Sequence, residues 1–255
     1  MIRDGWRLAL GTLTALPTAP PTVVNGASAR AAVLLAPLAV LPLGAGVVAL
    51  GWLGERLLLS GLTLGFLALG WLALTTRILH WDGLSDTADG LTASYDRERA
   101  LQVMKSGTSG PAGVVATVVV AGLQVAGFAA LLTSVRGAVA AGLAVCLSRL
   151  ALSIACLRGV PPARRDGLGN PMSGVVAPWQ AAMLWILWAT GATAVAWWLD
   201  LPLAVMTPGM VLAAATVTAL VAHCVRRLGG VTGDVFGAGI ELALAAALLG
   251  TTAAL

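Results

Sequence analysis

The segment "RILHWDGLSDTADGLTASYDRERALQVMK", residues 77–105, gathers Asp82, Asp86 and Asp89 in a chain that has only 11 acidic residues. Residues at i, i+4 and i+7 lie within about 60° on one helical face, so a helix here carries a carboxylate stripe about 10 Å long. Like charges this close repel, and they raise one another's pKa unless a cation sits among them. Mg²⁺ is the natural occupant, since it takes one or two carboxylates and completes its shell with water and substrate phosphates. Asp82, Asp86 and Asp89 are therefore candidate metal ligands, and Arg97, Arg99 and Lys105 just after them suit phosphate oxygens. Acids for a metal beside bases for phosphates point to phosphoryl transfer. The plainer reading of Asp86 and Asp89 is solvated charge in a loop. Against it, Trp81, Leu84 and Leu91 thread the segment, which suits the mouth of a bundle. Gly83 and Gly90 would let a bulky ligand approach the backbone. His80 falls on the face opposite the stripe and reads as a helix-end residue.

Three further polar segments accompany the stripe. "MKSGTSGPAG", residues 104–113, can offer backbone N–H groups to a phosphate, although such loops are ordinary at helix starts. "RGVPPARRDGLGNPMSG", residues 158–174, carries Arg164, Arg165, Asp166 and Asn170; topology alone would explain its arginines. "RRLGGVTGDVFGAGIEL" sets Asp234 at the start of an apolar stretch and Glu241 two turns inside it. An ionisable group within a span is a functional candidate, and Arg149 in another apolar stretch is its possible partner.

The elements that must position these groups are membrane helices. The chain of 255 residues is 58% hydrophobic and 10% charged, with a mean hydropathy of +0.92. Soluble domains carry about 25% charged residues. Stretches of about 20 apolar residues occur at 31–54, 57–79, 111–132, 137–158, 179–199, 203–224 and 234–254. These predict an all-α integral membrane bundle of about seven spans in a single domain over 1–255. Residues 5–17 are too short to span and end in Pro17, Pro20 and Pro21, which predicts a short N-terminal interfacial helix. Basic residues alternate by segment. Arg3, Arg7 and Arg30, then Arg77, Arg97, Arg99 and Lys105, then Arg158, Arg164 and Arg165, then Arg226 and Arg227 fall on one side; Arg56 and Arg136 fall on the other. The positive-inside rule makes the rich side cytoplasmic, so the stripe faces the cytoplasm from the cell membrane.

The same scatter of single, paired and tripled bases argues against a nucleic-acid partner and leaves lipid as the surroundings. Cys146, Cys156 and Cys224 lack metal or disulfide spacing and read as small core residues. No cleaved signal peptide is legible, nor any signal for an oligomeric state. The nine tryptophans read as an interfacial belt.

"RILHWDGLSDTADGL" resembles the H-x-D-G-L-x-D-T-x-D-G-L signature of the adenosylcobinamide-GDP ribazoletransferase (cobalamin synthase) family. Weaker likenesses occur in the family's order. "TLTALPTAPP" resembles T-R-L-P-x-P with Ala15 in place of Arg, and "ALQVMKSGTSGPAGV" resembles M-K/R…G-x-x-G. "ARRDGLG" resembles A-R-x-E-G-L-G, and "TGDVFGAGIEL" resembles G-D-v-x-G-A-x-x-E. The resemblance implies a Mg²⁺-dependent membrane enzyme that joins adenosylcobinamide-GDP to α-ribazole or α-ribazole 5′-phosphate and releases GMP. Under it, Asp82, Asp86, Asp89 and Asp234 are metal candidates, and Lys105, Arg164, Arg165, Asn170 and His80 are substrate-binding candidates. Two departures stand out: residues 106–109 are Ser-Gly-Thr-Ser where an acid is common, and Asp166 replaces a usual Glu. A CDP-alcohol phosphotransferase shares the logic, but its Ala-Arg after D-G-x-x is missing here. A cation-coupled transporter is the rival of another class. Glu241 is the feature in its favour, while no internal repeat supports it.

Overall fold

The computed structural model describes residues 1–254 as an assembly of helices. They are α1 (Ile2–Leu13), α2 (Gly26–Ala39), α3 (Leu41–Arg56), α4 (Gly61–Thr75), α5 (Leu79–Ala93), α6 (Arg97–Lys105) and α7 (Pro111–Leu131). There follow α8 (Val135–Ser148), α9 (Ala151–Ala155), α10 (Gly169–Met172), α11 (Pro178–Trp198), α12 (Thr207–Leu228) and α13 (Gly233–Thr252). Their starts follow local chemistry. Asn25, Ser60, Asp96, Ser134 and Thr232 cap first-turn N–H groups with their side chains, while Pro111, Pro178 and Pro208 sit where no donor is needed.

Six helical stretches are long and apolar enough to cross a bilayer, and a seventh is obtained if the pair α4 and α5 counts as one. That pair corrects the expected span at 57–79. The apolar helix stops at Thr75, and α5 leaves it at 93°. Arg77 and Ile78 both hold left-handed backbone, with φ of 55° and 61°, and the Ile78 N–H closes α4 on Ala73 O at 2.9 Å. Two consecutive non-glycine residues in this region are costly, more so for a β-branched one, so the surrounding packing must hold the corner. The charged helix α5 is therefore a segment apart from the spanning helices. The first span also differs from expectation: it starts at Gly26 and breaks at Val40 between α2 and α3, with Pro37 and Pro42 around the break. Another span breaks at Arg149, between α8 and α9.

Helix α1 is shorter than the expected 5–17, because Thr14 is already extended. It lies tightly on α2: a Cβ on Gly5 would come 2.5 Å from the Ala31 Cβ. Asp4 accepts from the Thr22 N–H and hydroxyl at 2.9 and 2.7 Å, tying the proline-rich arm to α1.

Contacts between connecting segments sort into two ends. At one, Arg77 donates to Gly11 O, Arg97 to Ala163 O and Arg227 to Ser94 O; Lys105 pairs with Asp166 and Arg164 with Asp234. At the other, Arg136 faces Asp200 at 3.7 Å. The four basic segments assigned to one side thus meet one another, as two crossings between each and the next require. Helix α13 runs through the centre and packs against α5, α7, α8, α9 and α12. Helix α11 lies outermost, with Ile186, Leu187, Trp197 and Trp198 exposed.

The contact of α5 with α13 is made through Gly83, where a Cβ would lie 2.7 Å from Asp234 O and 3.0 Å from Asp234 Cα. This overturns the expectation that Gly83 admits a ligand: protein backbone already fills the space. Gly90 likewise meets the Met104 side chain and Ala100 O. Gly83→Ala is expected to destabilise the detergent-purified protein by about 1–3 kcal/mol through overpacking. Gly122→Ala on α7, which has open space around it, should leave the thermal midpoint unchanged or raise it. Equal midpoints for the two variants would contradict this packing.

Candidate functional site

Helix α5 does place the three carboxylates on one face, and two other helices begin beside them. At the start of α7, Asp89 accepts from the Gly110 N–H at 2.6 Å and from the Gly113 N–H at 2.8 Å, one to each oxygen. Any Cβ on Gly110 or Gly113 would strike this carboxylate, within 2.5 and 2.3 Å respectively, so the two glycines are what lets Asp89 seat itself. Ser85 donates to Ser109 at 3.3 Å in the same crossing. The loop that reads as a phosphate cradle thus has two of its N–H groups taken by the protein's own acid. Asp89 is 6% exposed, and it acts as a helix cap supplied from another helix.

At the start of α13, Asp234 accepts from Arg164 at 2.9 Å and from the Thr232 hydroxyl at 3.0 Å. Its backbone lies over Gly83, which brings it beside the stripe. Asp82 is exposed and Asp86 half-buried, and neither has a side-chain partner among the described residues. Burial pushes the Asp86 carboxyl up to about 6; Asp82, Asp234 and Asp89 add to the shift by repulsion, and Arg164 opposes it. This is the electrostatic situation that a cation relieves. Among the described residues no three His, Cys, Asp or Glu side chains are grouped to hold a metal by themselves. The donor set fits an ion that takes one or two carboxylates and fills its shell with water and phosphate oxygens, as Mg²⁺ does; it does not fit a closed protein cage. Asp82 and Asp86 are the carboxylates of this set that no side chain engages among the described residues.

The remaining candidates separate. Lys105 and Asp166 form an exposed ion pair, which holds the Asp166 carboxyl below its usual value. Arg165 is exposed, and Asn170 donates to its backbone carbonyl at 2.9 Å, so Asn170 braces the loop. His80 is placed away from the mouth. It is 4% exposed, lies against Gly237 of α13, and sets Nδ1 3.6 Å from a Glu241 oxygen. The other Glu241 oxygen accepts from Gln124 at 2.8 Å. Arg149, the expected partner of Glu241, instead donates to Val145 O and the Ser148 hydroxyl at the break between α8 and α9. Glu241 is thus held by Gln124 and lies beside His80. Gln124 escaped notice in the sequence. As a lone amide in an otherwise apolar run, it was a signal of the same kind as Glu241.

Two openings flank the crossing of α5 and α7. A cleft of about 590 Å³ lies on the Asp89 side, lined by residues of α5, α6 and the start of α7, Arg99 among them. A groove of about 290 Å³ on the Asp82 side is lined by Trp81, Val114, Thr117 and Val118.

A sequence model of the cobalamin-5-phosphate synthase family matches residues 5–252. An adenosylcobinamide-GDP ribazoletransferase of a Nocardioides species is 52% identical over 97% of this chain and 98% of its own length. Those of Frankia casuarinae and Rhizobium meliloti are 34% and 37% identical, over 95% and 88% of this chain and 92% and 84% of theirs. No solved structure matches the chain.

Asp89→Ala is expected to leave two N–H groups without their acceptor, at about 1–3 kcal/mol for each, and to lower the thermal midpoint in detergent clearly. Asp82→Ala, which removes an exposed side chain with no partner, should stay within about 0.5 kcal/mol. A cap role for Asp89 does not survive if the two midpoints coincide.

Proposed function

The chain belongs to the cobalamin-5-phosphate synthase family, and from that membership we propose that it joins adenosylcobinamide-GDP to α-ribazole, or to α-ribazole 5′-phosphate, releasing GMP. A ribazole hydroxyl oxygen forms a bond to the corrinoid-side phosphorus of the diphosphate, and the bond from that phosphorus to the GMP oxygen breaks. The observation that carries the reading is the pair of unpartnered carboxylates, Asp82 and Asp86, set beside Asp234 and Arg164 at the meeting of two helix N-termini.

Within that reading the residues divide the work. Asp82 and Asp86 would hold Mg²⁺, which when bound neutralises the diphosphate and the GMP that leaves. Asp86 is the freer proton acceptor, because both oxygens of Asp89 are engaged by backbone N–H groups. Arg164 restrains Asp234 and, with Lys105 and Arg165, supplies positive charge for the phosphates. Asn170 keeps the loop of Arg165 in shape, and His80 steadies α5 from behind. The active site faces the cytoplasm of the cell membrane, because the segments that meet around the stripe are the ones rich in Arg and Lys.

Detergent-purified protein given both substrates should release GMP in the presence of Mg²⁺ and not with a chelator. Asp82→Asn and Asp86→Asn should each lower kcat by about a hundredfold or more with membrane insertion intact. The sign of the pH dependence follows from the raised Asp86 carboxyl. Below about pH 6 it is protonated and neither attracts a cation nor accepts a proton, so kcat/KM falls on that side. Higher Mg²⁺ favours the carboxylate and should move this limb to lower pH. A profile flat from pH 5 to 8, or near-normal rates in both Asn variants, would sink the scheme.

A further inference from the structure

We infer that the cleft between α5, α6 and the start of α7 is the subsite for a nucleoside monophosphate group, with Arg99 as its phosphate-binding cation. The inference rests on the proposed reaction and adds to it a place for one substrate. Both phosphate-bearing groups in that reaction, the guanylyl half of the activated corrinoid and ribazole 5′-phosphate, are of this chemical class.

Several cations on this face are already engaged. Arg97 donates to Ala163 O, Lys105 pairs with Asp166, Arg164 pairs with Asp234, and Arg227 donates to Ser94 O and lies over the Tyr95 ring. Arg99 is the cation in the lining of this cleft; its side chain is exposed and, like that of Arg165, has no partner among the described residues. An unpaired guanidinium is a fork-shaped donor set suited to phosphate. The hydroxyls of Ser106 and Thr108, 3.0 Å apart, lie on the same wall, and Gln102 adds an amide that can both donate and accept along a base edge. Asp89 lines the same cleft, which places it next to the carboxylate stripe.

Size and polarity select among ligands. The cleft, about 590 Å³, falls in the range of roughly 300–1,000 Å³ that small ligands occupy. It suits a nucleotide and is too small for a corrin ring with its amide arms. The groove at Asp82 mixes Asp82, Ser85 and Ser109 with apolar Trp81, Val114 and Val118 and has no basic side chain in its lining. Val114 and Val118 are 51% and 66% exposed on an apolar helix face, which suits lipid or an apolar moiety.

Full-length protein in detergent serves for the test, with GMP and α-ribazole 5′-phosphate as probes in equilibrium titrations. Arg99→Ala should weaken one of them by about tenfold or more, the loss of a charge-assisted contact. It should raise the KM of the matching substrate, leave kcat within about twofold and leave the thermal midpoint unchanged. Arg99→Lys should recover part of the affinity, and Arg136→Ala at the far end should change nothing. Weaker GMP binding assigns the cleft to the guanylyl half. Weaker ribazole 5′-phosphate binding with GMP unaffected assigns it to the acceptor's phosphate. Unchanged affinity for both probes overturns the inference even if turnover is normal. Wild-type protein that binds GMP through Arg99 but releases none from the activated corrinoid would overturn the reaction and leave the subsite standing.

Discussion

The carboxylate of Asp89 seated on the first turn of α7 is the contact on which the site depends. It joins the charged helix α5 to a spanning helix by two N–H bonds, 2.6 and 2.8 Å long, and it exists only because Gly110 and Gly113 leave room. On the opposite flank, Gly83 lets the Asp234 backbone sit against the same helix. Helix α5 is thereby clamped between the N-terminal ends of α7 and α13. Their partial positive charge partly offsets the repulsion of Asp82, Asp86, Asp89 and Asp234. The offset is incomplete, since the Asp86 carboxyl is still driven up to about 6. The clamp sets a negative ledge in place with repulsion left over, and a divalent cation or the proton of an attacking hydroxyl can relieve what remains.

Behind the ledge lies a second polar set, inside the bundle. His80 on α5, Gln124 on α7 and Glu241 on α13 are each at most 4% exposed. They belong to the same three helices that the ledge joins. Buried ionic groups of this kind contribute little net stability, because desolvation offsets their attraction. Their use is geometric: Glu241 fixes the rotation of α13 against both neighbours, and the clamp at Asp89 and Gly83 demands that register. Among the described residues the Nδ1 of His80 and the Oε1 of Gln124 have no hydrogen-bond partner, so the set is held in place without being fully satisfied.

Much of this was legible in the sequence, and the unread parts share a cause. The stripe followed from spacing alone, because i, i+4 and i+7 need only a helix. The sidedness followed from counting Arg and Lys by segment, and the loop contacts sort the same way. The corner at Arg77 and Ile78 was not legible. Neither residue is a glycine, and a left-handed pair there is imposed by packing that spacing does not encode. The roles of Gly83, Gly90, Gly110 and Gly113 were misread for a related reason. A glycine in sequence says that something comes close, and only the fold says whether it is a ligand, a backbone or a carboxylate. Arg149 and Glu241 were noticed as buried charges, but their partners depend on helix rotation.

The departure at residues 106–109 acquires a physical sense from this arrangement. The family likeness leads one to expect an acid in the stretch that here reads Ser-Gly-Thr-Ser. Two amide groups at the start of α7 are already served by Asp89, so an acid is not needed to cap them. A further carboxylate would add to the repulsion at Asp86 and would also neutralise Arg99. Hydroxyls at Ser106, Thr108 and Ser109 keep the wall polar without charge and leave the anion to be supplied by substrate. Asp166 works in the same direction. Its pair with Lys105 is exposed on both sides, at 54% and 60%, and solvent-screened pairs of this kind contribute little to stability. A phosphate can displace Asp166 from Lys105 at little loss, whereas the more buried pair of Arg164 and Asp234 stays closed and holds the ledge.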